Sequence, residues 1–293
     1  SGNSLNPDLP FTIQTLNTMT QNDGNGNVET YTYDYAGGYY YFNGVLDRKF
    51  AGFEKVTMTN PDNTKEVTYY HQGNGNNGAN AEIGDSGSKI GKVFRTDIYD
   101  TANNLKKWTT YKYDESGLDN DRFFLPLTQV MNGQDGVQTA TTFTYNNITG
   151  DLNDKTEWGQ VNMNGFFAFN DINNDKRSTV YTYLTNATTN VTVPNNIQLK
   201  DQSGNKVNEK VITYDGGSFT KGNPTNIATW VSGSTYNNSQ KSYNAVGQVA
   251  TETDPRGKVT TYMYDSWNLF PINVSEPLGV STSYTYDYAV GKP

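Results

Sequence analysis

The chain has 293 residues, of which 34% are hydrophobic, 18% charged and 13% aromatic, with 22 Tyr and a net charge of -8 at pH 7. The aromatic content argues against disorder, and the negative charge disfavours nucleic acid and anionic membranes as partners. The sequence has no Cys, which excludes disulfides, zinc–thiolate sites and thiol nucleophiles, and it has no run of 18 apolar residues of the kind that spans a membrane.

Apolar and aromatic residues recur at a period of two, while Gly, Asn and Pro interrupt every long window. This pattern predicts strands and turns without amphipathic helices. In chain order, the glycine-rich stretch Gln72–Ser88 is predicted to be a mobile loop. The stretch Asn146–Asn174 breaks the strand rhythm and is predicted to be an inserted loop carrying Trp158 and the aromatic cluster Phe166–Phe169. That cluster is interpreted as a satellite core contact.

A short motif recurs along the chain: an aromatic residue, any residue, Tyr, and then Asp or Asn. In a strand, residues i and i+2 point to the same face, so both rings are expected on one side of the sheet. The Asp or Asn side chain can bond to the backbone two residues on and begin a turn. The predicted motif residues are Tyr31, Tyr33, Asp34, Tyr111, Tyr113, Asp114, Tyr145, Tyr214, Asp215, Tyr262, Tyr264, Asp265, Tyr284, Tyr286 and Asp287.

The motif has a regular period toward the end of the chain. Tyr243 and Tyr264 are 21 residues apart, and Tyr264 and Tyr286 are 22 apart. The sequence Asp254-Pro255-Arg256-Gly257 within the first interval fits a type I turn. About 22 residues accommodate two strands and two short connections, so the repeat unit is predicted to be a β-hairpin. The predicted fold class is all-β, an antiparallel β-hairpin repeat sheet that forms a curved ribbon or solenoid.

The Tyr-Asp motif, its spacing and the turn Asp254–Gly257 resemble the YD repeats of bacterial Rhs proteins, polymorphic toxins and teneurins. Four segments in order, Tyr31–Tyr39, Arg48–Phe53, Thr68–Gln72 and Gly91–Val93, resemble the middle region of the Tc-toxin B component of the SpvB/TcdB type. Residues 1–293 are therefore predicted to form one continuous YD-repeat segment. Within it, residues 1–118 are predicted to be Tc-toxin-B-middle-like and residues 119–293 to consist of YD hairpins.

The resemblance implies a structural role in a large secreted or cell-surface protein. In such proteins the repeats form a hollow shell around a toxic C-terminal segment, and the partners are the rest of the shell and the enclosed toxin or effector. The family's self-cleaving end region is not recognisable in this sequence. The alternative is a cell-surface adhesin whose tyrosine rows bind glycans. Because aliphatic residues are scarce, we favour tyrosine ladders that stabilise the sheet itself.

Candidate catalytic and metal-binding residues are few. His71 is the single histidine, and without a nucleophile or a second histidine it is predicted to be structural or exposed. Asp171–Asp175 has oxygen ligands at positions 1, 3 and 5 of a calcium loop, but Lys176 and Thr182 replace the Gly and Glu that such a loop requires. The recurring Asp residues are interpreted as turn formers. The sequence predicts no enzyme, no catalytic residue, no metal ligand and no cofactor.

Overall fold

The computed structural model describes residues 6, 9–75, 79–117 and 123–293. Across these residues the regular structure consists of β-strands and four single-turn 3-10 helices, so the all-β prediction is confirmed. The 3-10 helices are Ala79–Ala81, Gly87–Lys89, Asp215–Gly217 and Pro277–Gly279. No helix in the described ranges is long and apolar enough to cross a membrane.

The chain divides into two compact units, Ser1–Arg177 and Ser178–Pro293. The strands of unit 1 are β1 (Thr18–Asn22), β2 (Val28–Phe42), β3 (Arg48–Thr59), β4 (Lys65–Tyr70), β5 (Val93–Tyr99), β6 (Leu105–Tyr113), β7 (Ser116–Gly117), β8 (Phe123–Phe124), β9 (Leu127–Gln134), β10 (Val137–Tyr145), β11 (Leu152–Met163) and β12 (Phe169–Asp171). The strands of unit 2 are β13 (Arg177–Thr185), β14 (Thr192–Lys200), β15 (Lys206–Tyr214), β16 (Pro224–Ser232), β17 (Thr235–Tyr243), β18 (Val249–Thr253), β19 (Val259–Tyr264), β20 (Pro271–Ser275) and β21 (Ser281–Ser283).

Strand pairing is antiparallel within both units and follows chain order. In unit 1, β1 to β6 pair successively, β6 pairs with β9, and β9 to β12 continue the order, while β7 pairs with β8. In unit 2, every strand from β13 to β21 pairs with the next one. Successive antiparallel strands joined by short turns are hairpins, so the predicted hairpin repeat is confirmed in each unit.

The buried hydrophobic clusters lie in unit 1. Val67, Tyr69 and Phe94 form one cluster on β4 and β5. The other consists of Met131, Ala140 and Val161, with larger side chains packed against it, namely Trp108, Trp158, Met163, Phe167 and Phe169. Phe167 and Phe169 therefore contribute to a core, in agreement with the sequence interpretation. Small clusters of this kind suit a sheet in which most side chains are only half-buried.

One of the two sequence predictions about loops is wrong in the described residues. The segment 146–174 contains β11 and β12, and β11 pairs with β10 along most of its length. The exposed polar residues of β11 obscure the alternation of its buried positions, which include Thr156 and Val161. The stretch Gln72–Ser88 is a loop, as predicted, in which Gln72, Glu82 and Asp85 are buried and Gln72 is hydrogen-bonded to neighbouring strands. Its mobility stays a prediction. Residues 76–78 of that stretch lie outside the described ranges.

Candidate functional site

Five tyrosines of the described residues, four of them predicted motif residues, stand at the end of a strand and make the same kind of hydrogen bond. Each hydroxyl donates to a backbone carbonyl at or near the start of the preceding strand in the pairing order. The donor and acceptor residues are Tyr113 and Val93 (3.1 Å), Tyr145 and Leu127 (3.0 Å), Tyr214 and Pro194 (2.8 Å), Tyr243 and Pro224 (3.0 Å), and Tyr264 and Val249 (2.9 Å). Each phenol therefore ties the end of one strand to the beginning of its neighbour.

A register shift precedes each of these tyrosines. The shifts fall between Lys112 and Tyr113, Thr144 and Tyr145, Thr213 and Tyr214, Ser242 and Tyr243, and Met263 and Tyr264. In each case the extra residue lies on the strand that follows in the pairing order, where it has no partner opposite the tyrosine's strand and bends that strand locally. These extra residues are Thr128, Asn153, Thr225, Ala250 and Ile272. Because the register shift accompanies all five tyrosines, it is a feature of the repeat. The one-dimensional motif carries no signal for it.

The acidic residue after the tyrosine organises the next turn. Asp215 Oδ2 accepts hydrogen bonds from the amides of Thr220, Lys221 and Gly222 at 2.8, 2.7 and 2.8 Å, and Oδ1 accepts one from Asn223 at 3.2 Å. Burial raises the pKa of Asp215, but the amide donors outweigh it and hold the pKa below its ordinary value. One carboxylate that accepts four amides therefore closes the connection between β15 and β16.

Turns at the opposite ends of the strands use aspartate in a second way. The Oδ1 atom accepts hydrogen bonds from the amides two and four residues on, as Asp254 does from Arg256 and Lys258, both at 2.8 Å. The same pattern occurs at Asp100 and Asp201. Hydrogen bonds from the backbone and side chain of Asn104 lower the pKa of Asp100 to about 2. The turn Asp254–Gly257, predicted from the sequence, is present, since the amide of Gly257 donates to the carbonyl of Asp254 at 2.9 Å. The tyrosine motif does not mark Asp201, because no tyrosine precedes it.

The remaining motif residues occupy varied positions. Tyr111 and Tyr262 lie inside β6 and β19, and the hydroxyl of Tyr262 donates to Glu252 at 3.2 Å. Asp114 accepts the hydroxyl of Thr128 at 2.8 Å. Asp265 accepts the amide of Leu269 at 2.7 Å and the hydroxyl of Tyr288 at 2.7 Å.

The first motif copy does not end a strand. Tyr31, Tyr33 and Asp34 lie in the middle of β2, which continues to Phe42. The interpretation of Asp34 as a turn former is therefore wrong. At this point β2 is paired with β3, with Asp34 opposite Thr57, and a ladder of backbone hydrogen bonds overrides the local turn preference.

The last motif copy lies beyond the final strand. The amide of Tyr284 donates to the carbonyl of Ile272 at 2.9 Å, which extends the pairing of β21 with β20 by one bond. The ring of Tyr286 stacks on Phe270 with centroids 4.6 Å apart and an interplanar angle of 11°. Asp287 closes a turn through its amide, which donates to the carbonyl of Lys292 at 2.9 Å.

A polar cluster around Glu209 stabilises the sheet of unit 2. The Glu209 carboxylate accepts Lys206 Nζ at 2.8 Å, Asn196 Nδ2 at 2.8 Å and the hydroxyl of Tyr236. The hydrogen bond from Lys206, followed by those from Tyr236 and Asn196, lowers the pKa of Glu209 to about 2. Lys206 Nζ also lies 5.0 Å from the ring centroid of Trp230. The buried carboxylate of Glu209 thus joins three strands, β14, β15 and β17, and Lys206 adds a contact with β16.

A second polar cluster, formed by His71, Glu82 and Asp85, lies in unit 1 and was missed by the sequence interpretation. His71 Nδ1 lies 3.0 Å from Glu82 Oε1 and 3.2 Å from Asp85 Oδ1. The three residues are only 1%, 5% and 5% exposed. The imidazole lies between two aromatic rings, with centroid distances of 5.0 Å to Phe94 and 6.3 Å to Tyr113. His71 is structural or functional, but it is not exposed.

The backbone around this cluster is fixed by hydrogen bonds. The amide of His71 donates to the carbonyl of Lys92, and the amide of Gly91 donates to the carbonyl of His71, both at 2.9 Å, so the pairing of β4 and β5 continues to His71. Asp85 accepts three consecutive amides, those of residues 72, 73 and 74, at 3.1, 2.8 and 2.8 Å. Consecutive amides form a concave site suited to an anion.

The pKa values of the three ionisable groups in the cluster are shifted in different directions. Burial lowers the pKa of His71, but its hydrogen bonds to Asp85 and Glu82 outweigh burial and raise the pKa above its ordinary value. Burial raises the pKa of Glu82. Burial also opposes ionisation of Asp85, but the bonds from His71, Gly73 and Asn74 prevail and hold its pKa below the ordinary value.

The weak calcium-loop candidate has a different environment. Asp171 ends β12, and Asn173 Nδ2 donates to Gln160 Oε1 at 2.9 Å, while Asp175 Oδ2 accepts the amide of Gln160. Among the described residues, His71, Glu82 and Asp85 form the group whose side chains could hold a metal ion. Their ligand atoms all lie within 4.8 Å of one another.

The fold and the repeated tyrosine–carbonyl bonds define an antiparallel hairpin-repeat protein. Residues 1–73 match the family described as insecticide toxin TcdB middle/N-terminal region, and residues 243–269 match the RHS repeat family. The second match covers the interval in which the tyrosine spacing is most regular. The resemblance to Rhs/YD-repeat proteins and to the Tc-toxin middle region is therefore confirmed. No curated protein matches the chain.

Two solved structures share the fold. The chain is 12% identical to TcdB2-TccC3-TEV with a TM-score of 0.65, over 100% of this chain and 21% of that one. It is also 12% identical to TcdB2-TccC3 without its hypervariable C-terminal region, with a TM-score of 0.61, over 98% of this chain and 22% of that one. The chain thus spans about a fifth of the length of these proteins.

Proposed function

We propose that this chain is a non-enzymatic wall segment of a larger secreted Rhs/YD-repeat shell that encloses a C-terminal toxin or effector segment. Its partners would be the rest of the parent shell and the enclosed segment. The observation that carries the proposal is the repeated bond from a strand-end tyrosine to the neighbouring strand. The matches to the TcdB middle region and the RHS repeat support the same conclusion.

The use of the motif tyrosines favours a wall over a binding surface. Tyr113, Tyr145, Tyr214 and Tyr264 each donate their hydroxyl to a backbone carbonyl of their own sheet. A phenol that makes this bond cannot also donate its hydrogen to a sugar, and its ring is half-buried, or fully buried at Tyr214. A wall also needs strands whose ends are held, because each hairpin is stabilised mainly by its neighbours.

The proposed function is tested by protease protection of the C-terminal segment in the parent protein. The segment is expected to resist a protease when it belongs to the intact parent protein and to be degraded when it is produced alone. Equal degradation in both samples would contradict enclosure. The adhesin alternative predicts specific binding of this chain on a glycan array, whereas the wall-segment proposal predicts none.

A further inference from the structure

The cluster of His71, Glu82 and Asp85 places ionisable side chains in the interior, and the hairpin repeat does not explain how their charge is compensated. Its three side chains carry two carboxyl groups and one imidazole, so with both carboxyl groups ionised the cluster has a net negative charge even when the imidazole is protonated. All three residues are at least nine-tenths buried. A buried charge without full compensation is costly, and proteins compensate it with a proton, an ion partner or a bound metal.

The contact geometry favours a bound metal over a proton or an ion partner as the compensating charge. One imidazole nitrogen, Nδ1, faces both carboxylate oxygens, at 3.0 Å for Glu82 and 3.2 Å for Asp85. A single N–H cannot make a full hydrogen bond to two acceptors at once. For a cation about 2.1 Å from Nδ1 and from each carboxylate oxygen, these two distances correspond to nitrogen–metal–oxygen angles of about 90–100°, within the range of ordinary coordination.

Hydrogen bonds from the surrounding backbone and side chains hold the cluster in place, as they do in most protein metal sites. Asp85 is held by the amides of Gln72, Gly73 and Asn74, and ligating carboxylates are typically hydrogen-bonded in this way. The Gln72 side chain anchors the loop to two other strands, since Nε2 donates to the carbonyls of Gly37 and Gly52 at 2.6 and 3.1 Å. These contacts fix the position of Asp85 and of the chain next to His71 without a metal.

We propose that His71, Glu82 and Asp85 bind a divalent first-row transition ion, of the Zn²⁺ or Mn²⁺ class, which fastens the loop between β4 and β5. One nitrogen and two oxygen donors suit these ions, whereas Ca²⁺ and Mg²⁺ prefer oxygen ligands alone. This proposal is independent of the wall-segment function, since a structural ion would serve the fold in any role.

The test is equilibrium dialysis of the untagged chain against Zn²⁺ and Mn²⁺, with Ca²⁺ and Mg²⁺ as comparators. We expect one transition ion per chain and a melting temperature that rises with its concentration. Glu82→Gln keeps the side-chain shape and should weaken binding roughly tenfold or more. The matched control is Asp97→Asn, which alters another buried carboxylate of unit 1, bonded to Arg95 at 2.7 Å, and should leave ion affinity unchanged.

A readout on the wild-type chain keeps the test decisive if the Glu82 variant does not fold. His71 is the only histidine, so pulsed electron paramagnetic resonance of bound Mn²⁺ should detect coupling to one imidazole nitrogen. Absence of that coupling would overturn the proposal. So would equal affinity of the wild-type and Glu82→Gln chains, or equal stabilisation by Ca²⁺, because either result would indicate adventitious binding to surface carboxylates.

Discussion

Tyr264, at the end of β19, donates its hydroxyl to the carbonyl oxygen of Val249, at the start of β18, at 2.9 Å. The pairing of β19 with β20 shifts register between Met263 and Tyr264, with the extra residue, Ile272, on β20. Asp265 accepts an amide of the turn that follows. Bulge, phenol and aspartate thus form one unit at the strand end. This unit explains physically why the Tyr-Asp pair recurs.

The contribution of the tyrosine–carbonyl bond is measured by Tyr264→Phe. Loss of one hydrogen bond at a half-buried site should lower the free energy of unfolding by about 0.5–1.5 kcal/mol. The control is Tyr31→Phe, because the hydroxyl of Tyr31 donates at the surface to Glu29 at 3.2 Å, and its loss should cost less. Denaturant unfolding of both variants gives the comparison. Equal effects would show that the carbonyl bond has no special role.

The sequence predicted the strand-end motif well because Tyr262-Met263-Tyr264-Asp265 contains both of its local causes, strand alternation and turn formation. It did not predict that Asp34 lies inside β2, because pairing with β3 decides where that strand ends. It also missed β11, whose exposed polar residues obscure its period. These errors concern features set by neighbouring strands rather than by local sequence.

The cluster of His71, Glu82 and Asp85 was not predictable for a related reason. Glu82 and Asp85 follow His71 by 11 and 14 residues within a glycine-rich segment, and no spacing rule brings them together. Their convergence depends on Gln72 bonding to Gly37 and Gly52 on two other strands. Tertiary packing of the loop therefore creates the cluster.

Asp215 should be the most sensitive turn aspartate, since its carboxylate accepts four amides between residues 220 and 223. Asp215→Ala removes all four acceptor contacts and should destabilise unit 2 by about 1–3 kcal/mol. Asp215→Asn, which keeps one acceptor oxygen, should have an intermediate effect. Hydrogen exchange of these four amides should accelerate in the order wild type, Asn, Ala. Unchanged exchange in the Ala variant would contradict the assigned role.

The stability of unit 2 should fall in acid because of Glu209. Its folded pKa of about 2 lies below the unfolded value of about 4.3. The stabilisation is therefore complete above the unfolded pKa and is lost as the pH falls toward the folded one. Glu209→Gln should cost about 1–3 kcal/mol at neutral pH, and the difference from wild type should shrink below the unfolded pKa. The exposed Glu276→Gln serves as the control, and a pH-independent difference for Glu209→Gln would refute the assignment.

Gly133 is predicted to tolerate no side chain. A Cβ at this position would overlap the indole ring of Trp108 on the neighbouring strand. Gly133→Ala must displace the indole from the core of Met131, Ala140 and Val161, which should cost about 1–3 kcal/mol. Gly165→Ala is the control, because its Cβ would lie 3.4 Å from Ala168, close to an ordinary contact. Thermal unfolding of both variants provides the measurement, and equal melting temperatures would refute the packing argument.

The most direct test of the central claim is a cryo-electron microscopy map of the parent protein. If this chain is a wall segment, its strands should continue into neighbouring hairpins, line a closed cavity, and have the C-terminal segment as density inside that cavity. A map in which these strands form a separate module with both faces in solvent, and with the C-terminal segment outside, would contradict the account.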